Sequence, residues 1–113
     1  MARYLILIYG DETAWADATP EDFQREMVKH NTFQEQVNAM DGGKILGGEA
    51  LTPTNTATSI RNGLVTDGPF ADTKEALGGY YVVEAKDLDQ AIAMGKLCPQ
   101  DAGGVEVRPI MEF

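Results

Sequence analysis

The single histidine, His30, is the side chain of this chain best suited to proton transfer. Imidazole is the only side chain whose ordinary pKa lies near neutrality, so it can gain or lose a proton without a large shift. Two carboxylates are candidate partners: Asp67, within Thr66–Phe70, and Glu49, which follows Gly47-Gly48. A His paired with either acid would form a proton shuttle suited to a cofactor-independent lyase or isomerase.

His30 and Asp67 also have structural interpretations. His30 falls in the middle of the apolar stripe of a predicted helix, where a buried neutral imidazole bonded to a neighbour is the commoner arrangement. Asp67 can accept backbone hydrogen bonds within its own turn. Both interpretations stay open at the level of the sequence.

The turn Asp67-Gly68-Pro69-Phe70 can hold a carboxylate rigidly at a pocket rim, because Gly68 relieves steric limits and Pro69 fixes the chain that follows. Glycines within a strand permit close approach of a ligand, so Gly47-Gly48-Glu49 can also face a cavity. The candidate catalytic residues are thus Asp67 and His30. The candidate ligand-binding residues are Gly48, Glu49, Gly68, Pro69, Phe70 and Glu75.

Several other chemistries lack the residues they need. One His and one Cys do not supply the usual ligand set of a zinc site, so we expect no metal centre. Ser59 is the only serine and has no nucleophile-elbow motif around it. The glycine pairs lack the spacing of a nucleotide-binding loop, so we expect no ATP or NAD and no other cofactor. A haem enzyme using His30 as the iron ligand is a distant third possibility.

The net charge of the chain is -9, from 9 basic and 18 acidic residues. Such a charge disfavours nucleic acids and anionic membranes as partners. The apolar run near Met1–Tyr9 is too short for a signal peptide or a membrane span. With Cys98 as its only cysteine, expected to be a buried apolar residue, the chain fits a reducing cytoplasm.

The predicted elements alternate between strands and helices. Arg3–Tyr9 is predicted as the central strand and Gly10–Ala18 as a loop. A helix follows from Thr19, its N-cap, to about Met40, with one apolar stripe packed on the sheet. The stripe consists of Phe23, Met27, His30, Phe33, Val37 and Met40.

The second half contains the remaining strands and a short helix. Asn62-Gly63 predicts a hairpin turn between strands Thr56–Arg61 and Leu64–Thr66. The other predicted elements are strands Lys44–Leu51, Gly78–Ala85 and Val105–Met111, and a helix from Asp87 that ends before Pro99. Pro109 favours an edge position for the last strand.

This order predicts one domain, residues 1–113, of the α+β class: a ferredoxin-like antiparallel sheet with both helices on one face. Leu5 and Leu7 point to one face of the first strand, and Tyr4, Ile6 and Ile8 point to the other, so neither face is polar. The face without helices needs a cover, and a second copy of the sheet would provide one. We therefore expect a homodimer.

Three segments in register resemble one family. Tyr4–Asp11, Gly47–Leu51 and Thr66–Tyr81, with its Asp-Gly-Pro-Phe, Lys74-Glu75 and double glycine, are similar to the DGPF-type proteins of the YCII-related superfamily. The resemblance implies a dimeric α/β barrel. It also implies one of two roles: an acid-base enzyme, in one branch acting on a lactone, or a companion of a sigma factor.

Two functions follow from these residues and the resemblance. The first is a small-molecule-binding or regulatory module, with a transcription factor as a possible partner. The alternative is a lyase or isomerase in which Asp67 or His30 moves a proton. No complete catalytic constellation is visible in the sequence, which favours the binding module.

Overall fold

The computed structural model describes residues 1–113, in which strands and helices follow one another much as predicted. In chain order the elements are β1 (Ala2–Asp11), α1 (Pro20–Ala39), β2 (Lys44–Ala50), β3 (Thr58–Arg61), β4 (Leu64–Asp67), β5 (Glu75–Ala85), α2 (Leu88–Leu97) and β6 (Gly103–Pro109). Short 3-10 turns cover Glu12–Trp15 and Thr54–Thr56. The first of these turns, together with the end of β1, occupies much of the segment predicted as loop.

Four strands form one antiparallel sheet in the order β2-β5-β1-β6. β1 is therefore central, as predicted, and β6 with Pro109 is an edge strand. The two helices pack on one face of this sheet, which gives the ferredoxin-like α+β fold. The β3–β4 hairpin, inserted between β2 and β5, forms a separate two-stranded sheet.

Local capping explains where the helices begin. At α1, Thr19 Oγ1 accepts a hydrogen bond from Asp22 N at 3.2 Å, and Asp22 Oδ2 accepts one from Thr19 N at 2.9 Å. Pro20 occupies the first turn, where its missing N–H leaves no partner unsatisfied. At α2, Asp87 Oδ1 accepts a hydrogen bond from Gln90 N at 2.9 Å. These side chains satisfy backbone donors that a helix leaves free at its start.

The hydrophobic core lies between the helices and the sheet. Its buried members are Tyr4, Ile6, Phe33, Val37, Tyr81, Val83, Ala85, Ala91, Met94 and Cys98. The even-numbered positions of β1 contribute to this layer, as the strand alternation predicts. Leu5 and Leu7, at the odd-numbered positions, are only partly covered, although they lie on the central strand of the sheet.

Neither helix combines the length and apolar composition that crossing a membrane requires.

Candidate functional site

A cavity of about 950 Å³ opens between the first half of α1 and one end of the sheet. Its walls come from α1, from the Glu12–Trp15 turn and from the segment 99–102. This volume lies in the range of cavities that hold small organic ligands. The cavity is on the helix-covered face of the sheet, beside the core.

Four glycines border the cavity. Gly10, Gly48, Gly78 and Gly79 all lie along the strands that border the cavity. Gly78 has the most open surroundings of the four, because a Cβ there would meet only the Ile8 carbonyl oxygen, at 4.0 Å.

The predicted apolar stripe of α1 is therefore only partly a packing surface. Phe33 and Val37 are buried, as expected, but Phe23 is 55% exposed and Met27 is 64% exposed. The prediction that the whole stripe rests on the sheet was wrong, because a cavity separates the first turns of α1 from the sheet. Both side chains line the cavity instead.

The aromatic side of the cavity is formed by Trp15 and Phe23. Their rings stack with centroids 5.6 Å apart. The turn that carries Trp15 is tied to the Thr54–Thr56 turn, because Glu12 accepts hydrogen bonds from Thr54 N and Thr54 Oγ1, both at 2.7 Å. The cavity thus has an apolar wall whose supporting turn is fixed by hydrogen bonds.

A hydrogen-bonded chain of polar side chains runs along the deeper side. Gln34 Nε2 donates to the Tyr81 hydroxyl at 3.3 Å, and Tyr81 Oη lies 2.8 Å from His30 Nδ1. His30 Nε2 faces Glu26 Oε1 at 3.5 Å. With its proton on Nε2, toward the carboxylate, His30 is free to accept the hydroxyl proton of Tyr81 at Nδ1.

Burial sets the protonation state of this chain. Loss of solvent lowers the pKa of His30 below its ordinary value, and the nearby Glu26 carboxylate opposes that shift only in part. Burial also raises the pKa of the Tyr81 hydroxyl, while its hydrogen bond from Gln34 acts in the other direction. At neutral pH the pair is a neutral imidazole and a neutral phenol.

Gly48 allows Tyr81 to reach His30. A Cβ at position 48 would lie 2.6 Å from Cδ1 of the Tyr81 ring and 2.6 Å from the Tyr80 carbonyl oxygen. Both distances are far inside van der Waals contact. Only glycine lets β2 run this close to the ring.

The model of the YCII-related domain matches residues 2–113. The chain belongs to the YCII-related domain family. A relative from Rhizobium meliloti (strain 1021), described as an uncharacterised protein, is 32% identical over 114 residues, covering 95% of this chain and 90% of the relative.

Three of the predicted site residues of this YCII-related domain border the cavity: His30, Gly48 and Glu49. Asp67, Gly68, Pro69, Phe70 and Glu75 do not line it. Within one chain the structure does not bring Asp67 together with His30. The acid beside the imidazole is Glu26.

The Asp67-Gly68 turn is held by Ser59. Gly68 has a φ of +103°, a conformation that side-chain-bearing residues rarely adopt. Its carbonyl accepts a hydrogen bond from Ser59 Oγ at 2.7 Å, and its N–H donates to the Ala57 carbonyl at 2.8 Å. Asp67 itself is exposed and makes no side-chain hydrogen bond, so the structure does not contain the capping interaction considered for it. Phe70 is 65% exposed, with the Arg61 guanidinium 4.1 Å from its ring centroid.

Sequence reasoning missed Glu26, Gln34 and Tyr81 as neighbours of His30. Two signals were available: Glu26 and Gln34 lie four residues either side of His30, which places them on the same helix face. Tyr81 shares its strand face with the core residue Val83, two positions along. The sequence alone did not show that this face of β5 packs against α1.

The remaining reactive group, Cys98, is buried at the end of α2. Burial raises the pKa of its thiol to about 12, with a smaller contribution from Glu26. Such a thiol stays protonated and unreactive at neutral pH, in agreement with the predicted structural role. No group of three or more His, Cys, Asp or Glu side chains is arranged to hold a metal ion.

Proposed function

We propose that this YCII-related domain is a small-molecule-binding module whose ligand occupies the cavity beside α1. The observation that supports this most strongly is the pair Phe23 and Met27. These two large apolar side chains lie more than half exposed, along a cavity of about 950 Å³, although Phe33 and Val37 further along the same helix are buried. Apolar walls with a few convergent polar groups are typical of ligand sites.

The polar groups give such a ligand an orientation. Glu26, His30 and Gln34 lie on one face of α1, and Trp15 and Phe23 form the apolar part of the wall next to Glu26. A ligand with an apolar body and one polar end matches this division. A binding module of this kind needs no turnover. In this proposal it acts in the cytoplasm and reports its ligand to a transcription factor, the kind of partner that the resemblance implies.

The single tryptophan supplies the test, because Trp15 lies in the cavity wall. A series of apolar amines, alcohols and acids is titrated by Trp15 emission and by calorimetry. At least one is expected to bind saturably, and Met27→Ala should weaken it about fivefold through lost apolar contact.

The matched control is Val28→Ala. Val28 is 62% exposed on the same helix but does not line the cavity, so this variant should bind like the unmodified chain. No binding by any member of the series, or equal weakening in both variants, would contradict the proposed function.

The acid-base alternative gains support from the Tyr81–His30–Glu26 arrangement. A neutral His30 can take a proton from a ligand, and the Glu26 carboxylate 3.5 Å away stabilises the imidazolium that forms. His30, rather than Asp67, is therefore the base that a cofactor-independent lyase or isomerase in this cavity would use.

We further propose that two chains pair through the sheet face opposite the helices, giving a dimeric α/β barrel. Leu5 pairs with Val82, and Leu7 pairs with Tyr80, along the two central strands. All four of these side chains are only partly covered, and Leu46 on the neighbouring strand is 41% exposed. A second copy of this apolar face is self-complementary by symmetry.

A further inference from the structure

Acidic side chains are the only fully charged groups among the residues that line the cavity. Five carboxylates border it and no Lys or Arg does; the five are Asp11, Glu12, Glu26, Glu49 and Asp101. The other ionisable groups of the lining are three tyrosines and His30, and His30 is neutral at pH 7 because burial lowers its pKa. The chain as a whole adds a net charge of -9. An anionic ligand would meet an unfavourable field on approach and no cation on arrival.

The nearest lysines are already engaged at the outside. Lys29 Nζ lies 2.6 Å from Asp101 Oδ2 and 3.7 Å from Glu26 Oε2. Lys74 is 85% exposed, with its Nζ 4.0 Å from Asp11. These contacts reduce the negative charge of the rim, but they place no ammonium group inside the cavity.

Glu26 is the cavity carboxylate with unused positions for accepting hydrogen bonds. Its contacts with Lys29 at 3.7 Å and His30 at 3.5 Å are both longer than a normal hydrogen bond, and its side chain is 21% exposed. A carboxylate can accept about four hydrogen bonds. One mostly buried carboxylate at the cavity wall therefore lacks a close donor, and a ligand can provide it.

Aromatic rings lie next to this carboxylate. Phe23 is one helical turn before Glu26 on the same face of α1, and Trp15 stacks on Phe23. A ligand cation near Glu26 would face these rings as well, and ring faces attract ammonium groups when water is displaced.

Building on the ligand-binding function proposed above, we propose that the cavity selects cationic ligands: molecules with an apolar body and a primary or secondary amine. The ammonium group donates hydrogen bonds to Glu26. The apolar body lies against Trp15, Phe23 and Met27.

Three probes of the same shape test this selectivity: adamantylmethylamine, adamantylmethanol and adamantanecarboxylate. They do not absorb at the excitation wavelength of Trp15, so its emission reports binding directly, with calorimetry as a second readout. At low salt and pH 7 the amine should bind at least about tenfold more tightly than the alcohol, and the acid most weakly. Glu26→Gln should lower the affinity for the amine about tenfold and remove most of its advantage over the alcohol.

Glu35→Gln is the matched control, since Glu35 is exposed on the same helix and does not line the cavity; it should leave the affinity for the amine unchanged. Tighter binding of the alcohol or the acid than of the amine would overturn the cation selectivity while leaving the binding function in place. Failure of all three probes to bind would overturn both. The ranking in the unmodified chain decides the question even if a variant folds poorly.

Discussion

At the scale of single residues, the protonation of His30 depends on its neighbours in the fold rather than on its position in the sequence. Its ring contacts Tyr81 through Nδ1 and faces Glu26 through Nε2. Burial favours the neutral form and Glu26 favours the charged form, and burial is the larger effect. The pKa of this one group therefore reports both the depth of the cavity and the identity of its acidic neighbour.

Nuclear magnetic resonance titration of His30 should give a pKa below the ordinary value of 6.5. In Glu26→Gln the pKa should fall further, because a carboxylate that stabilises the imidazolium has been removed. Asp67→Asn is the control and should leave the pKa unchanged, since Asp67 does not border the cavity. A pKa shift in Asp67→Asn with none in Glu26→Gln would contradict the assignment of Glu26 as the acidic neighbour of His30.

The lowered pKa of His30 also determines how the free energy of unfolding changes with pH. Because the pKa of His30 is lower folded than unfolded, the unfolded chain binds the proton more readily. The contribution of neutral His30 to the free energy of unfolding is complete above about pH 6.5. It is lost as the pH falls toward the pKa of His30 in the folded chain. Urea midpoints between pH 8 and pH 5 should therefore decline less in His30→Gln than in the unmodified chain, and parallel declines would contradict the shift.

At the scale of elements, the glycines of β2 have different functions although they are adjacent. Gly48 lies under the Tyr81 ring, whereas a Cβ at Gly47 would have no neighbouring heavy atom within 4 Å. An extra residue in β2 between Ile45 and Gly47 forms a bulge in the pairing with β5. Position 48 therefore requires glycine for steric reasons, whereas position 47 has room for a side chain.

Gly48→Ala should lower the free energy of unfolding by about 1–3 kcal/mol, because the added methyl group overlaps a ring and a backbone carbonyl. Gly47→Ala should change it by no more than about 0.5 kcal/mol. Urea denaturation of the two variants makes the comparison within one strand. Equal midpoints would mean that β2 does not pass beneath the Tyr81 ring as described.

Local signals predicted the elements well. The Thr19-Pro20 helix start, the Asn62-Gly63 turn, with its φ values of 52° and 81°, and the Asp87 cap all form as predicted. Each of these depends on residues within a few positions of one another, so a single sequence contains the information.

Contacts between residues far apart in the sequence were harder to predict. Which residue approaches His30 depends on β5 lying beside the central strand and on Gly48 admitting the Tyr81 ring, and neither can be read from spacing along the chain. The double glycine Gly78-Gly79 looked like a strand start, yet β5 begins earlier, at Glu75, and carries a pairing irregularity opposite Ile8–Tyr9. Glycines from three strands border the cavity, and which strands lie side by side is a property of the sheet rather than of any one segment.

At the scale of the whole molecule, one face of the sheet carries two helices and the other carries none. The molecule is correspondingly thin, with extents of 43 × 41 × 18 Å. Apolar residues on the uncovered face of a central strand are a strong reason for association, because monomers rarely expose a large contiguous apolar patch.

Light scattering should therefore find a particle of twice the 12.3 kDa chain mass at micromolar concentration. Leu7→Glu should convert it to a monomer, because pairing would bury an uncompensated carboxylate from each chain, and a cost of about 3–5 kcal/mol weakens association more than a hundredfold. Val28→Glu places the same charge on the exposed surface of α1 and should leave the dimer intact. A monomeric unmodified chain, or dissociation by Val28→Glu alone, would exclude the sheet face as the interface, and circular dichroism of each variant separates loss of pairing from loss of fold.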